Sequence, residues 1–204
     1  MWQDEFEGTD VDAPKDIVIT CMDYRVDTSA LLRLLGLQSG YVLRNAGGVV
    51  SEDVVRSLLL YWFKIVKTPD ISISVVTHTY CGMIKPGDDA INAEIEADHR
   101  IAQRPPFSLE TFPSPELGVR RSIQRLRDSP FLHAVIRIRG LVYDIDPPGA
   151  LREVKTYVVE GTQTMEFVAE KFGVSLVALR EANPQIENDR IGPRQVLIIP
   201  LAKS

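Results

Sequence analysis

Short apolar runs rich in β-branched residues alternate with stretches of helical periodicity, and this alternation constrains the fold more than any other feature. Residues 16–20 (DIVIT) and 71–77 (ISISVVT) have the pattern of buried strands. Between them, residues 41–43 begin another strand, and the apolar side chains after Ser51 recur at helical spacing. Strands separated by helices indicate βαβ units, whose parallel sheet is covered on both faces. The sequence therefore predicts an α/β fold with a mainly parallel β-sheet flanked by helices.

The rest of the chain divides at a cluster of turn residues, Pro147-Pro148-Gly149. Before the cluster we expect two more helices and a fourth strand, over residues 90–101, 116–127 and 134–143. After it, two helices lie between two strands, which is a small βααβ pattern. The predicted division is a first unit over residues 1–150, a linker over residues 151–155 and a second unit over residues 156–204.

The charge of the chain argues against polyanionic partners. Lys and Arg number 23 and Asp and Glu number 28, which gives a net charge of -5. Neither nucleic acid nor an anionic membrane surface is therefore expected as a main partner. No apolar run approaches the roughly 18 residues that a spanning helix needs, and residues 1–12 are acidic, unlike the basic start of a secretory signal. We expect a cytoplasmic protein.

The two cysteines lie close to predicted strand ends. Cys21 ends the first strand, His78 ends the third, and Cys81 follows His78 by three positions. Residues that end different strands of an open parallel sheet can meet at one edge. Two thiolates and one imidazole suit zinc, and three protein ligands leave a fourth position open, as in catalytic sites. From these residues alone, two buried cysteines and a hydrogen-bonded histidine remain the alternative.

Four segments resemble, in order and spacing, the motifs of the β-class carbonic anhydrases: CMDYRV (21–26), RNAGGVV (44–50), HTYCGM (78–83) and RGLVYD (139–144). The resemblance implies a sheet-based α/β fold that assembles as a homodimer or tetramer. It also implies a lyase whose Zn²⁺ cofactor is held by Cys21, His78 and Cys81. The implied reaction is reversible hydration of carbon dioxide to bicarbonate by a zinc-bound hydroxide.

Other residues of these motifs acquire expected roles. Similarity to the family makes Asp23 and Arg25 a catalytic dyad that orients the hydroxide, because an arginine can hold a carboxylate in bidentate fashion. Gly47, Gly48 and Gly82 would let the backbone approach a small linear substrate, and the Gly82 amide could donate to its oxygen.

Two rival functions share these residues. Enzymes that hydrolyse carbonyl sulfide or carbon disulfide look similar over the same motifs and use the same zinc ligands. Their substrates are therefore an alternative to carbon dioxide. A non-catalytic scaffold with structural zinc is a further alternative.

Arg44 and Asn45 are expected to brace the site or a dimer. Tyr80 departs from the family pattern, since relatives commonly carry a small or acidic polar residue there.

Residues 156–200 resemble a LysM module over essentially its full length, including the Asn183-Pro184 pair. The resemblance implies binding of N-acetylglucosamine polymers such as peptidoglycan or chitin. The alternative is a spacer or protein-contact module without a glycan ligand. The expected glycan-binding residues are Gly161, Thr162, Thr164, Asn183 and Ile186.

Overall fold

The fold is described from a computed structural model of the chain, which covers residues 15–63, 71–85, 87–98, 100, 103–132, 136–146 and 148–201. The strands of the first unit are β1 (Asp16–Cys21), β2 (Tyr41–Asn45), β3 (Ser72–His78), β4 (Arg137–Ile145) and β5 (Pro148–Glu153). Its helices are α1 (Thr28–Leu34), α2 (Glu52–Tyr61), α3 (Asp88–Ala97) and α4 (Pro115–Asp128). A short 3₁₀ turn, Ala46–Gly48, follows β2.

The five strands lie in the order β2-β1-β3-β4-β5. β1 pairs in parallel with β2 and β3, β3 pairs in parallel with β4, and β5 runs antiparallel to β4. The register sets Cys21 beside Asn45 and His78 beside Tyr143. The carboxyl ends of β1, β2 and β3 therefore meet at one edge, and the prediction of a mainly parallel sheet flanked by helices is confirmed.

Both faces of the sheet are covered, which explains why β1 and β3 are almost continuously apolar. On one face, side chains of β1 and β3 pack against α2 and α4, in a cluster that includes Ile17, Ile19, Ile73, Val75, Val54, Leu58, Val119 and Ile123. On the other face, a second cluster includes Val18, Val76, Leu31, Leu35 and Phe112.

Capping serines account for the starts of α2 and α4. The Ser51 hydroxyl accepts a hydrogen bond from the Val54 amide at the start of α2. Ser114 caps α4, which begins with a proline, so the helix starts one residue before the predicted position. α3 also starts earlier than expected and ends at Ala97, because Asp98 has extended backbone angles. Residue 101, the predicted end of this helix, lies outside the described residues.

Two predicted boundaries differ from the structure. β4 spans Arg137–Ile145 rather than residues 134–143, of which 134 and 135 lie outside the described residues. Residues 151–153, which we predicted as part of a linker, belong to β5. They form a ladder with β4 in which Leu141 pairs with Glu153 and Tyr143 with Leu151. Beyond the predicted boundary the chain therefore runs back along β4 within the sheet instead of leaving the unit.

The second unit contains β6 (Thr156–Val158), β7 (Gln163–Thr164), α5 (Met165–Phe172), α6 (Leu176–Ala182), β8 (Arg190–Ile191) and β9 (Val196–Ile198). β6 pairs with β9 and β7 pairs with β8, both antiparallel. The expected strand-helix-helix-strand order is present, with the β7-β8 pair in addition. Among the described residues, no helix has the length and hydropathy to cross a membrane.

Candidate metal centre

Three potential metal ligands converge at the carboxyl edge of the sheet. Cys21 is the last residue of β1, His78 is the last residue of β3, and Cys81 lies in the turn after β3. Their ligand atoms all lie within 4.8 Å of one another, and the two Sγ atoms are 3.9 Å apart. The residues are 4%, 0% and 6% exposed, respectively. The parallel register explains how residues 57 to 60 positions apart come together.

The imidazole of His78 is oriented for a ligand that is not part of the chain. Its Nδ1 lies 2.8 Å from the carbonyl oxygen of Thr79, which fixes the proton on Nδ1. Its Nε2 is buried, has no hydrogen-bond partner among the described residues and carries the lone pair toward the two thiols. A backbone carbonyl behind a metal-binding histidine is the usual arrangement that sets the ring direction. The orphaned nitrogen therefore fits a metal ion.

The two thiols are in electrostatic conflict. The hydrogen bond between the two thiols is the largest cause that lowers the pKa of Cys21. Contacts with His78 and with the amides of Asp23 and Gly47 lower this pKa further, whereas burial raises it. The same hydrogen bond, with burial, raises the pKa of Cys81. One thiolate thus disfavours the other. A dication between them would stabilise both thiolates, which are the ligand form of cysteine.

Asp23 and Arg25 form a bidentate pair beside the three ligands. Arg25 Nε donates to Asp23 Oδ1 at 3.0 Å, and Nη2 donates to Oδ2 at 2.6 Å. This pairing holds the pKa of Asp23 well below its usual range. Asp23 Oδ2 is 3.9 Å from Nε2 of His78, so the carboxylate borders the space between the ligand atoms. The two side chains predicted as a dyad therefore pair with each other next to the candidate metal ligands.

Tyr80 links the two turns that carry the site. Its backbone has a left-handed φ of 56°, which is uncommon for a residue other than glycine. Its carbonyl oxygen accepts a hydrogen bond from Arg25 Nη2 at 3.0 Å, while its ring is exposed. The residue that departs from the family pattern therefore contacts the dyad through its main chain.

Arg44 braces the turn after β1, as expected for this position. Its Nε donates to the carbonyl of Cys21 at 2.9 Å, and its Nη2 donates to the carbonyl of Asp23 at 2.7 Å. Asn45 closes the neighbouring turn through two hydrogen bonds between its side chain and the backbone of Val49. These contacts fix the backbone on both sides of Cys21.

The three predicted substrate glycines occupy different environments. A Cβ on Gly48 would lie 2.8 Å from the backbone of Cys21, and a Cβ on Gly47 would lie 3.0 Å from the ring of Phe112. Both are buried, and packing against the protein requires that they lack a side chain. Gly82 is exposed and open. Phe112 is a site neighbour that the sequence analysis missed, because its loop has no periodic pattern.

The predicted glycan residues are only partly together. Gly161 and Thr162 lie in the loop before β7, Thr164 is in β7, and the β7-β8 pair brings this segment next to the loop that contains Ile186. Thr164 also caps α5 with its hydroxyl. The prediction that Asn183 binds glycan is wrong. It is 1% exposed, and its amide bonds to Leu179 and to both backbone groups of Ile198, so its side chain is not available to a glycan.

Comparison with known proteins supplies relatives for both units. A carbonic anhydrase family model matches residues 16–149, and a LysM domain model matches residues 157–200. Over 139 residues the chain is 37% identical to beta-carbonic anhydrase 1 of Mycobacterium tuberculosis, covering 67% of this chain and 80% of that protein. It is 31% identical over 153 residues to a carbon disulfide hydrolase of Acidianus sp., covering 63% and 72%. A crystal structure of carbonic anhydrase from Streptococcus mutans superposes with a TM-score of 0.61 at 32% identity, covering 70% and 84%.

Proposed function

The chain belongs to the β-carbonic anhydrase family, and on that basis we propose that it is a zinc enzyme that reversibly hydrates carbon dioxide to bicarbonate. One observation carries the proposal. The ligand atoms of Cys21, His78 and Cys81 converge, and the buried Nε2 of His78 has no hydrogen-bond partner among the described residues. A structural zinc site has four protein ligands and does not need an Asp-Arg pair beside the metal. The pair of Asp23 and Arg25 therefore favours a catalytic site.

Cys21, His78 and Cys81 would hold the zinc and leave one position open to solvent. When bound there, zinc supplies a Lewis acid that makes water acidic enough to act as a nucleophile near neutral pH. Two thiolates cancel the formal charge of the ion, so neighbouring groups must contribute to the activation of water.

Asp23 is the group that makes this contribution. With both oxygens held by Arg25, the carboxylate stays ionised and can accept a hydrogen bond from the attacking water, which orients the water toward the substrate carbon. The same pairing keeps the carboxylate from turning onto the metal. The exposed Gly82 amide is proposed to donate to a substrate oxygen, with Gly47 and Gly48 shaping the adjacent backbone.

Hydrolysis of carbonyl sulfide or carbon disulfide is the second candidate. The similarity to the Acidianus carbon disulfide hydrolase favours it, and attack of water on the carbon of these molecules differs little from attack on carbon dioxide. Access and pocket shape would decide between the substrates, because the ligand set is the same.

Parallel assays separate these functions. Carbon dioxide hydration is followed by stopped-flow pH indicator, and hydrolysis of carbonyl sulfide and carbon disulfide is followed by sulfide release, on the same zinc-loaded preparation. We expect turnover of carbon dioxide to exceed that of either sulfur substrate. Tenfold higher turnover of carbonyl sulfide would reverse the assignment. No turnover of any of the three would leave a non-catalytic scaffold.

For the second unit we propose weak binding of N-acetylglucosamine polymers. The LysM match and the β7-β8 pair, which brings the two expected loops together, support it. Thr162 is exposed in the first of these loops. Thr162→Arg should reduce retention on insoluble peptidoglycan and chitin, whereas Gln38→Arg, which adds the same charge to an exposed position of the first unit, should not. Equal retention of both variants, or none by the native protein, would remove the glycan ligand.

A further inference from the structure

β9 of the second unit is buried on both faces, although a strand in a two-stranded sheet would ordinarily expose one. Leu197 and Ile199 pack into the core of the second unit. Val196 and Ile198 point the other way, since side chains alternate along a strand, and they belong to the core cluster of the first unit. All four are at most 7% exposed. Two of the three β9 side chains therefore complete the core of the first unit.

The surface that receives these side chains lies along α4. The shared cluster contains Ile123 and Leu126 of α4, and Val158 of β6 packs against it beside β9. In a free-standing second unit, the face of Val196 and Ile198 would be an exposed apolar patch. Docking on α4 removes that patch from water and is favoured for this reason.

Two amide side chains occupy the outer edge of β9 in place of a neighbouring strand. Asn183, from the second unit, bonds to the N–H and C=O groups of Ile198 at 2.8 Å each. Gln124, from α4, accepts from the Val196 amide at 2.6 Å and donates to the Arg194 carbonyl at 3.0 Å. An open strand edge otherwise presents unpaired backbone groups. The first unit therefore supplies part of the hydrogen bonding that the second unit needs.

The join between the units is bonded on both sides. Two residues separate β5 from β6. The Val154 amide donates to the Gly140 carbonyl of β4 at 2.8 Å, and the Lys155 carbonyl accepts from the Ile199 amide at 2.8 Å. A flexible linker would leave these groups to solvent.

From these contacts we infer that the C-terminal module is a docked structural part of the first unit, with α4 as its receptor surface, rather than an anchor on a tether. The docked face is that of Val196 and Ile198, whereas the proposed glycan loops belong to the β7-β8 end. The inference does not depend on the proposed chemistry.

Docking also bears on the metal centre through the opposite side of α4. Ser122 of α4 accepts a hydrogen bond from the Val50 amide at 3.2 Å, and Gly118 packs closely on Phe112. Val50 and Phe112 flank the glycine turn that lies against Cys21. The C-terminal module thus packs on α4, and α4 in turn contacts the residues that flank the glycine turn.

Native-state amide hydrogen exchange on the full chain tests the inference. Leu179→Ala removes a fully buried side chain from the core of the second unit alone. If the module is docked, exchange in α4 should accelerate roughly tenfold together with exchange in α5 and α6. Leu201→Ala, at an exposed position of the same unit, is the matched control and should leave α4 unchanged. Acceleration confined to the second unit would overturn the inference.

A second variant covers the case in which Leu179→Ala does not fold. Gln124→Ala removes the amide at the docking surface, and Gln38→Ala, at an exposed glutamine of the first unit, is its control. We expect exchange of the Val196 amide to become roughly tenfold faster in Gln124→Ala and to stay at the native rate in Gln38→Ala. Native exchange at Val196 in Gln124→Ala would contradict docking through this side chain.

Discussion

Asp23 presents its charge in a fixed direction because Arg25 holds both carboxylate oxygens, and Arg25 is in turn bonded to the carbonyl of Tyr80. Arg44 fixes the same turn by donating hydrogen bonds to the carbonyl oxygens of Cys21 and Asp23. Under the proposed function Asp23 orients the attacking water, and such a group must keep its own geometry through the reaction. These contacts make Asp23 the residue at which a small change should have the largest effect on rate.

Asp23→Ala should lower kcat/KM for carbon dioxide hydration by at least about 100-fold, because the attacking water loses its hydrogen-bond acceptor. Zinc content should stay near that of the native protein, since no ligand is removed. Asp53→Ala, which removes an exposed carboxylate paired with Arg56, is the control. A loss of less than threefold in Asp23→Ala, measured by stopped flow, would show that the dyad does not act on water.

Gly48 and Gly36 separate backbone strain from collision. Both have a positive φ, of 65° and 73°, but a Cβ on Gly36 would meet nothing within 4 Å, whereas one on Gly48 would lie 2.8 Å from backbone atoms of Thr20 and Cys21. Gly36→Ala should lower the free energy of unfolding by about 1 kcal/mol. Gly48→Ala should cost about 2 kcal/mol more, because backbone cannot yield as a side chain can. Equal losses in urea unfolding would refute this packing role.

The sequence was sufficient to predict that Cys21, His78 and Cys81 meet and that Asp23 pairs with Arg25, because these residues end strands or follow strand ends within recognisable motifs. It was insufficient for residues whose partners depend on register or on an irregular loop. Phe112 packs on Gly47 from such a loop. Asn183 was misassigned because a polar residue after a helix resembles a loop residue, whereas its amide completes the edge of β9.

At the level of elements, α3 is tied to the loop that precedes α4 through one carboxylate. Asp88, at the start of α3, accepts hydrogen bonds from the hydroxyl of Ser108, the amide of Leu109 and both the amide and hydroxyl of Thr111, at 2.6 to 2.9 Å. Burial by itself would raise the pKa of Asp88, but these hydrogen bonds outweigh it and lower the pKa. The loop leads directly to the buried Phe112.

Asp88→Asn should lower the free energy of unfolding at neutral pH by about 1 to 2 kcal/mol, since a neutral amide is a weaker acceptor. Because the folded state depresses the pKa, the stabilisation by Asp88 is complete above the unfolded pKa of about 4 and is lost as the pH falls through the folded value. The gap between the native protein and the variant should therefore close below about pH 4. A gap in urea unfolding that is constant from pH 7 to pH 3 would contradict this assignment.

Elements with strong local signals were predictable, and those defined by distant partners were not. α2 and α4 follow serine caps and periodic apolar residues. α1 has only seven residues and was missed, although Asp27 caps it. β5 follows a proline-rich turn that reads as a boundary, and it is a strand because its backbone pairs with β4. Tertiary pairing overrides local propensity in such cases.

At the scale of the whole molecule, the edge of the sheet at β2 predicts self-association. β2 pairs with β1 alone among the described strands, and Tyr41 of β2 and Leu60 of α2 are partly exposed and line one groove. Open edges and exposed apolar patches favour pairing with another chain.

Leu60→Lys should shift the protein toward the monomer in light scattering at micromolar concentration, because it places a charge in this apolar surface. Leu34→Lys is a close control, since Leu34 on α1 is 46% exposed and Leu60 is 47% exposed. If Leu60→Lys has the same mass as the native protein, or if the native protein is itself monomeric, association through this edge is excluded.

Zinc X-ray absorption spectroscopy on the purified protein, together with metal analysis, tests the central claim most directly. We predict about one zinc per chain, with two sulfur neighbours at about 2.3 Å and nitrogen or oxygen neighbours at about 2.0 Å. Cys81→Ser should remove one sulfur from that shell. Full catalytic activity in metal-free protein, or a zinc shell without sulfur, would contradict an active site built from Cys21, His78 and Cys81.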